Sequence, residues 1–125
     1  FKNHPYSPEL HSFSMLGIKL LKLAKKKLPD FMSNFFSELP IDILDVNHII
    51  PHQASKTGLR VFYDLYNIDK IKRHENLLNY GNCISASIPI LLSEVIKSGK
   101  IKRGETLFMT GTSAGFAIGG LLIRF

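Results

Sequence analysis

The chain has 125 residues, the size of one domain, and its 45% hydrophobic and 21% charged residues exclude disordered and collagen-like proteins. Its apolar runs are much shorter than the roughly 20 residues of a transmembrane helix, so we expect no membrane association and a cytoplasmic location. The net charge of +6 comes mainly from residues 46–125, which carry ten Lys or Arg and five acids. Such charge attracts nucleic acid, anionic membranes, acidic proteins or phosphorylated cofactors alike and selects none of them.

Residues 1–13 show no periodicity and are predicted to form an irregular N-terminal segment. A helical lead-in follows over residues 14–40, where apolar spacing predicts two helices that are separated by a break at Pro29. Four lysines, Lys22 and Lys25 to Lys27, lie near the C-terminal end of the first predicted helix. They are explained either by a solvated helix end, where positive charge is favourable, or by a binding patch. No aromatic side chains are interleaved with these lysines, so nucleic-acid binding is not expected.

The motif-bearing core, residues 46–125, alternates strand and helix patterns. Strands are predicted at Val46–Ile50, 76–79, Thr106–Thr110 and Ala117–Phe125, and helices at Ser55–Tyr66 and Ser85–Ser98. This order predicts an α/β fold with a mixed sheet covered by helices, and residues 14–125 would form a single domain.

Polar or small residues follow three of the predicted strands. Pro51 ends the first strand and presents His52, Asn82 follows the second, and Gly111–Gly115 forms a loop of small residues after the third. With parallel crossovers these strand ends would meet at one edge of the sheet, where α/β proteins bind ligands. A functional site and a structural histidine that is satisfied by hydrogen bonds both remain open.

Two residues offer competing chemistry. His48 has the spacing of a helical metal pair with His52, but on an extended strand the two would lie roughly 13 Å apart, so we expect no shared metal. The single cysteine, Cys83, cannot form an internal disulfide or a zinc pair. It precedes a helix N-terminus, which would stabilise a thiolate, but we expect a buried inert thiol rather than a reactive one.

The core motifs resemble a known family. They are His52-Gln53-Ala54, the run from Tyr80 to Pro89, Gly99 to Glu105, and a small-residue loop that leads into Leu122-Ile123-Arg124-Phe125. Together, in this order, they look like the C-terminal half of 3-oxoacyl-acyl-carrier-protein synthase III, a thiolase-fold condensing enzyme. The resemblance is close over residues 46–125 and weaker at Met15-Leu16-Gly17.

The resemblance implies a Cys-His-Asn site that transfers an acyl group from acyl-CoA to the cysteine, decarboxylates malonyl-acyl carrier protein and joins the two. His52 and Asn82 match the His and Asn of that set. They would stabilise the enolate that decarboxylation leaves on the thioester oxygen. The family binds no permanent cofactor or metal; acyl-CoA and malonyl-acyl carrier protein are substrates, and the complete enzyme would be a homodimer.

Further positions carry family roles by resemblance. Ala114 and Gly115 match the loop that helps to form the oxyanion hole, and Gly17 and Thr112 match the substrate tunnel more weakly. Lys56 and Arg60 provide a basic helix face for docking an acidic carrier protein.

Several departures from the family pattern limit these expectations. The nucleophilic cysteine belongs to an N-terminal half with no counterpart in this chain, so we expect the chain alone to be inactive in condensation. Ser55 stands where Asn is common, Thr57 replaces a docking Arg, and Thr112 stands where Phe often guards the pocket. The alternatives are a noncatalytic module that docks or assembles with acyl carrier protein, and an acyltransferase of secondary metabolism.

Overall fold

A computed structural model describes residues 17–113 and 115–125. The helices are α1 (Gly17–Ser37), α2 (Lys56–Leu65), α3 (Leu77–Tyr80) and α4 (Ser87–Lys97), and the strands are β1 (His48–Pro51), β2 (Thr106–Ser113) and β3 (Ala117–Arg124). Short 3-10 turns lie at Ile43–Asp45, Lys70–Lys72 and Ile84–Ala86. The irregular segment 1–13 and the start of the lead-in helix lie outside the described residues.

The described strands form one mixed sheet in the order β1-β2-β3, with β1 parallel and β3 antiparallel to β2. Side chains alternate between its two faces. Ile49 and Phe108 pack on one face against α1 and α2, whereas Ile50 and Met109 pack on the other against α4. The prediction of a helix-covered mixed sheet is confirmed.

Helix α1 runs through Pro29 without ending, so the predicted break there is wrong. Proline removes one helical hydrogen bond, but the apolar stripe of the helix continues across it. Leu28, Met32 and Phe36 all join the same core cluster. Burying this stripe outweighs the single missing bond, because each large buried side chain contributes about 2 kcal/mol.

The predicted strand at 76–79 is wrong as well, because Leu77–Tyr80 form the single helical turn α3. The backbone N–H groups of Asn76 and Leu77 both donate to Oε1 of Gln53, at 3.2 Å each. The side chain of Gln53, two residues after β1, therefore accepts backbone hydrogen bonds that a neighbouring strand would otherwise accept. Leu78 is 86% exposed, so the apolar pair at 77–78 does not mark a buried strand.

The remaining core elements follow the predictions closely. Ser55 caps α2, with its Oγ accepting from the N–H of Gly58 at 3.0 Å, and Gly99 ends α4 with φ +68°. The Gly111–Gly115 loop is shorter than predicted, because Gly111–Ser113 extend β2 and pair with β3. Within the described part of the chain, no helix has the length and apolar character that crossing a membrane requires.

Candidate active site

His52 is held where β1 leaves the sheet. Its backbone N–H donates to the carbonyl of Thr110 at 2.7 Å, which extends the β1-β2 pairing by one residue. The side chain is half-buried, and burial lowers the pKa of the imidazole from its usual value of 6.5. A half-buried histidine of this kind is neutral at physiological pH and can donate one hydrogen bond.

Gly111 of β2 makes close contact with His52. A Cβ atom at position 111 would lie 2.8 Å from the Cβ of His52 and 3.6 Å from Cδ1 of Ile88, on α4. Only glycine leaves room for this approach. The structure thus brings together the end of β1, the middle of β2 and the N-terminal half of α4.

Asn82 lies in the approach to α4, where it follows α3 rather than a strand. Its Oδ1 accepts from the backbone N–H of Ile84 at 2.9 Å, and the residue is exposed. Because the carbonyl oxygen of the side chain is bonded within the turn, the Nδ2 group is the end that can donate to a ligand.

The backbone around Asn82 adopts unusual conformations. Gly81 has φ +70° and Ile84, a β-branched residue, has φ +53°. Positive φ at such a residue is strained and persists where surrounding contacts enforce it. Here the N–H of Cys83 donates to Oγ of the buried Ser87 at 3.1 Å, which anchors the turn to α4.

The structure describes three of the four positions predicted for the oxyanion loop and the substrate tunnel. Ala114 lies outside the described residues. Gly115 is exposed with φ +77° in the β2-β3 turn, and Thr112 is half-buried in β2, paired with Ile118. Gly17 is exposed at the first residue of α1.

Lys56 and Arg60, the predicted docking positions, are exposed on α2. Arg60 lies 3.6 Å from Asp64 across one helical turn, with both side chains more than half exposed, and such pairs contribute little. The basic turn at 70–73 is less available for docking than α2 is, because two of its side chains are already bonded. Lys72 donates to the carbonyl of Leu44, and the guanidinium of Arg73 donates to the carbonyl of Ile68.

Cys83 is half-buried, and its Sγ donates to the carbonyl of Tyr80 at 3.5 Å. It is therefore less buried than an inert core thiol. No group of three or more His, Cys, Asp or Glu that could hold a metal occurs within 17–113 and 115–125.

Sequence reasoning missed a buried network at the start of β1. Nδ1 of His48 lies 2.9 Å from Nε2 of His74, and Nε2 of His48 lies 2.9 Å from Oε2 of Glu105. Burial, together with the charges of His48 and Lys100, lowers the pKa of His74 to about 4. The partners are 26 and 57 residues apart, so no local motif could have revealed them.

The fold is that of the thiolase-fold condensing enzymes. The structure superposes on 3-oxoacyl-[acyl-carrier-protein] synthase III from Aquifex aeolicus with a TM-score of 0.83 at 35% identity, covering 90% of this chain and 36% of the other. The Pseudomonas aeruginosa synthase gives a TM-score of 0.84 at 25% identity over 97% of this chain and 38% of that one.

A sequence model of the family described as "3-Oxoacyl-[acyl-carrier-protein (ACP)] synthase III C terminal" matches residues 37–125. The chain belongs to this family. Beta-ketoacyl-[acyl-carrier-protein] synthase III of Aquifex aeolicus is 35% identical over 89% of the chain and 36% of its own length. Acetoacetyl CoA synthase NphT7 of Streptomyces is 28% identical over 93% and 35%. The chain thus spans about a third of the length of the curated relatives it matches.

Proposed function

We propose that this chain is the C-terminal part of a ketoacyl synthase III that joins an acyl group from acyl-CoA to malonyl-acyl carrier protein. His52 and Asn82 are its enolate-stabilising donors. The observation that carries this proposal is the placement of His52, which Thr110 and Gly111 hold at the strand end and whose pKa is lowered by burial. A neutral imidazole donates a hydrogen bond without adding a formal charge.

The chemistry needs fixed donors more than it needs a base. When the malonyl carboxylate leaves as CO₂, the electrons of the broken C–C bond form an enolate, and its charge gathers on the thioester oxygen. Hydrogen bonds that are aimed at this oxygen stabilise the transition state more than the ground state. The Nδ2 group of Asn82 suits this role because Ile84 already occupies its Oδ1.

The enolate carbon then attacks an acyl thioester on a cysteine, and the cysteine leaves as a thiolate. We place that cysteine in the other part of the complete polypeptide, since the Aquifex aeolicus relative is about two and a half times as long as this chain. Cys83 is a poor candidate because it adjoins Asn82 and donates to Tyr80. On this proposal the 125-residue chain alone does not condense, and the complete enzyme is a cytoplasmic homodimer.

Acyl carrier protein is the proposed partner, docking its acidic surface near Lys56 and Arg60. Both residues are exposed on α2, which begins four residues after His52. A phosphopantetheine arm that enters beside α2 would thus have a short path to the strand end.

The test is to incubate the complete polypeptide with acyl-CoA and malonyl-acyl carrier protein, and to follow CO₂ release and acylated peptides by mass spectrometry. We expect CO₂ release, a 3-oxoacyl product and an acylated cysteine other than Cys83. Carrier-protein binding with no acylation and no CO₂ would favour the noncatalytic docking module. Condensation by the 125-residue chain alone, or acylation of Cys83, would contradict the proposed division of the site.

A further inference from the structure

Gln53, the residue after His52, is a buried polar side chain whose amide nitrogen and oxygen both have backbone partners. It is 0% exposed. Its Nε2 donates to the carbonyl of Pro51 at 2.9 Å, and its Oε1 accepts from the N–H groups of Asn76 and Leu77. One side chain thus links the end of β1 to the start of α3.

The chemistry of these contacts is specific to a primary amide of this length. The site requires one donor that faces a carbonyl and one oxygen that accepts two N–H groups. A methionine of similar size supplies neither, and leaving such groups buried without partners costs about 1–3 kcal/mol each.

The two segments that Gln53 joins are those that carry the proposed donors. Pro51 directly precedes His52, and the α3 turn leads through Gly81 to Asn82. The far side of the turn is held by Glu94 of α4, whose carboxylate accepts from Nδ2 of Asn76 at 2.7 Å and from Oη of Tyr80 at 2.6 Å. Gln53 is therefore a direct, buried contact between this turn and the strand end.

We propose that Gln53 is a positioning residue that fixes the spacing between His52 and Asn82. This inference rests on the proposed function, since the spacing matters only if both side chains serve one oxygen. Gln53 itself does not touch the reacting atoms. Its effect is on the decarboxylation step, because acyl transfer to cysteine does not need His52 and Asn82 to act together.

The experiment compares Gln53→Met and Gln53→Glu in the complete polypeptide, with CO₂ release from malonyl-acyl carrier protein and cysteine acylation measured separately. Displacing a catalytic group by about 1 Å can cost about 10²-fold in rate. We expect Gln53→Met to lose CO₂ release by about that factor, with acylation near wild type. Val46→Ala is the matched control, because Val46 is also 0% exposed but precedes β1, so any loss of stability should leave the ratio of the two rates unchanged.

Gln53→Glu adds a pH readout, the ratio of CO₂ release to cysteine acylation, which a merely structural role would leave unchanged. A protonated carboxyl can still donate to Pro51 and accept from α3, whereas a carboxylate cannot donate. Buried carboxyl groups can titrate as high as about pH 8. We therefore expect the ratio of CO₂ release to acylation in this variant, relative to wild type, to recover as the pH falls below that value.

Each outcome of this comparison is decisive. With an active wild type, this inference alone would be overturned if Gln53→Met kept its CO₂ release or lost both steps equally. It would also be overturned if the ratio of the two steps in Gln53→Glu did not change with pH. A wild type that acylates cysteine but releases no CO₂ would overturn the proposed function and this inference with it.

Discussion

Gly111 and His52 approach so closely that a Cβ atom on Gly111 would lie 2.8 Å from the Cβ of His52. Gly111 belongs to β2 and pairs with Gly119 of β3, so the sheet holds its backbone on one side while His52 packs on the other. The position of the histidine therefore depends on the absence of a side chain on a neighbouring strand.

Gly111→Ala should displace His52, because the added methyl group meets the Cβ of the histidine and not a mobile side-chain end. Misplacement of a catalytic group by about 1 Å can cost about 10²-fold. In the complete polypeptide, CO₂ release from malonyl-acyl carrier protein should fall by about this factor. Gly119→Ala is the matched control: it lies directly across the ladder, and a Cβ there meets nothing within 4 Å. Equal rates of CO₂ release by Gly111→Ala and Gly119→Ala would contradict the position assigned to His52.

Asn82→Asp separates the structural role of this side chain from its proposed catalytic one. The aspartate can still accept from the N–H of Ile84, as Oδ1 of Asn82 does, but it has no Nδ2 donor. We expect the thermal stability to stay close to wild type and kcat for decarboxylation to fall by about 10²–10³, the typical cost of one missing donor. A variant with wild-type kcat would show that Nδ2 has no part in the reaction.

The sequence predicts the elements that depend on local periodicity. The α2 and α4 stripes, the strand that ends at Pro51 and the β2-β3 hairpin all follow from it. The predictions at Pro29 and at 76–79 fail because distant contacts decide the outcome. The core holds α1 together through its proline, and Gln53 satisfies two backbone donors 23 and 24 residues away.

The candidate site likewise combines residues that motifs predict with contacts that only the folded structure reveals. His52 and Asn82 were predicted as donors from motifs, and their roles stay proposals. The structure adds the contact between His52 and Gly111 and the hydrogen bonds of Gln53. Both depend on strand register and burial, which local sequence patterns do not reveal. The same holds for the network of His48, His74 and Glu105.

The His74 network should make folding stability sensitive to pH. The pKa of His74 is lowered to about 4 in the folded chain, against about 6.5 in an unfolded one. Between these values the unfolded chain binds a proton that the folded chain does not, so stability is complete above about pH 6.5 and falls as the pH decreases. The loss should be about 2 kcal/mol by pH 4, allowing for solvent screening.

Urea unfolding of the 125-residue chain at several pH values would measure this loss, with His74→Gln as the comparison. The lowered pKa of His52 acts in the same direction, and so does that of Glu105, which His48 holds below its usual 4.5. The variant should therefore flatten the curve between pH 6.5 and 4.5 without removing the slope entirely. Parallel curves for variant and wild type would show that His74 does not titrate with unfolding.

The most direct test of the central claim is His52→Ala in the complete polypeptide, with the two half-reactions measured separately. Losing one enolate donor should lower malonyl decarboxylation by about 10²–10³, while the rate of acyl transfer from acyl-CoA to cysteine stays within about twofold of wild type. Loss of acylation with decarboxylation intact would contradict the role assigned to His52.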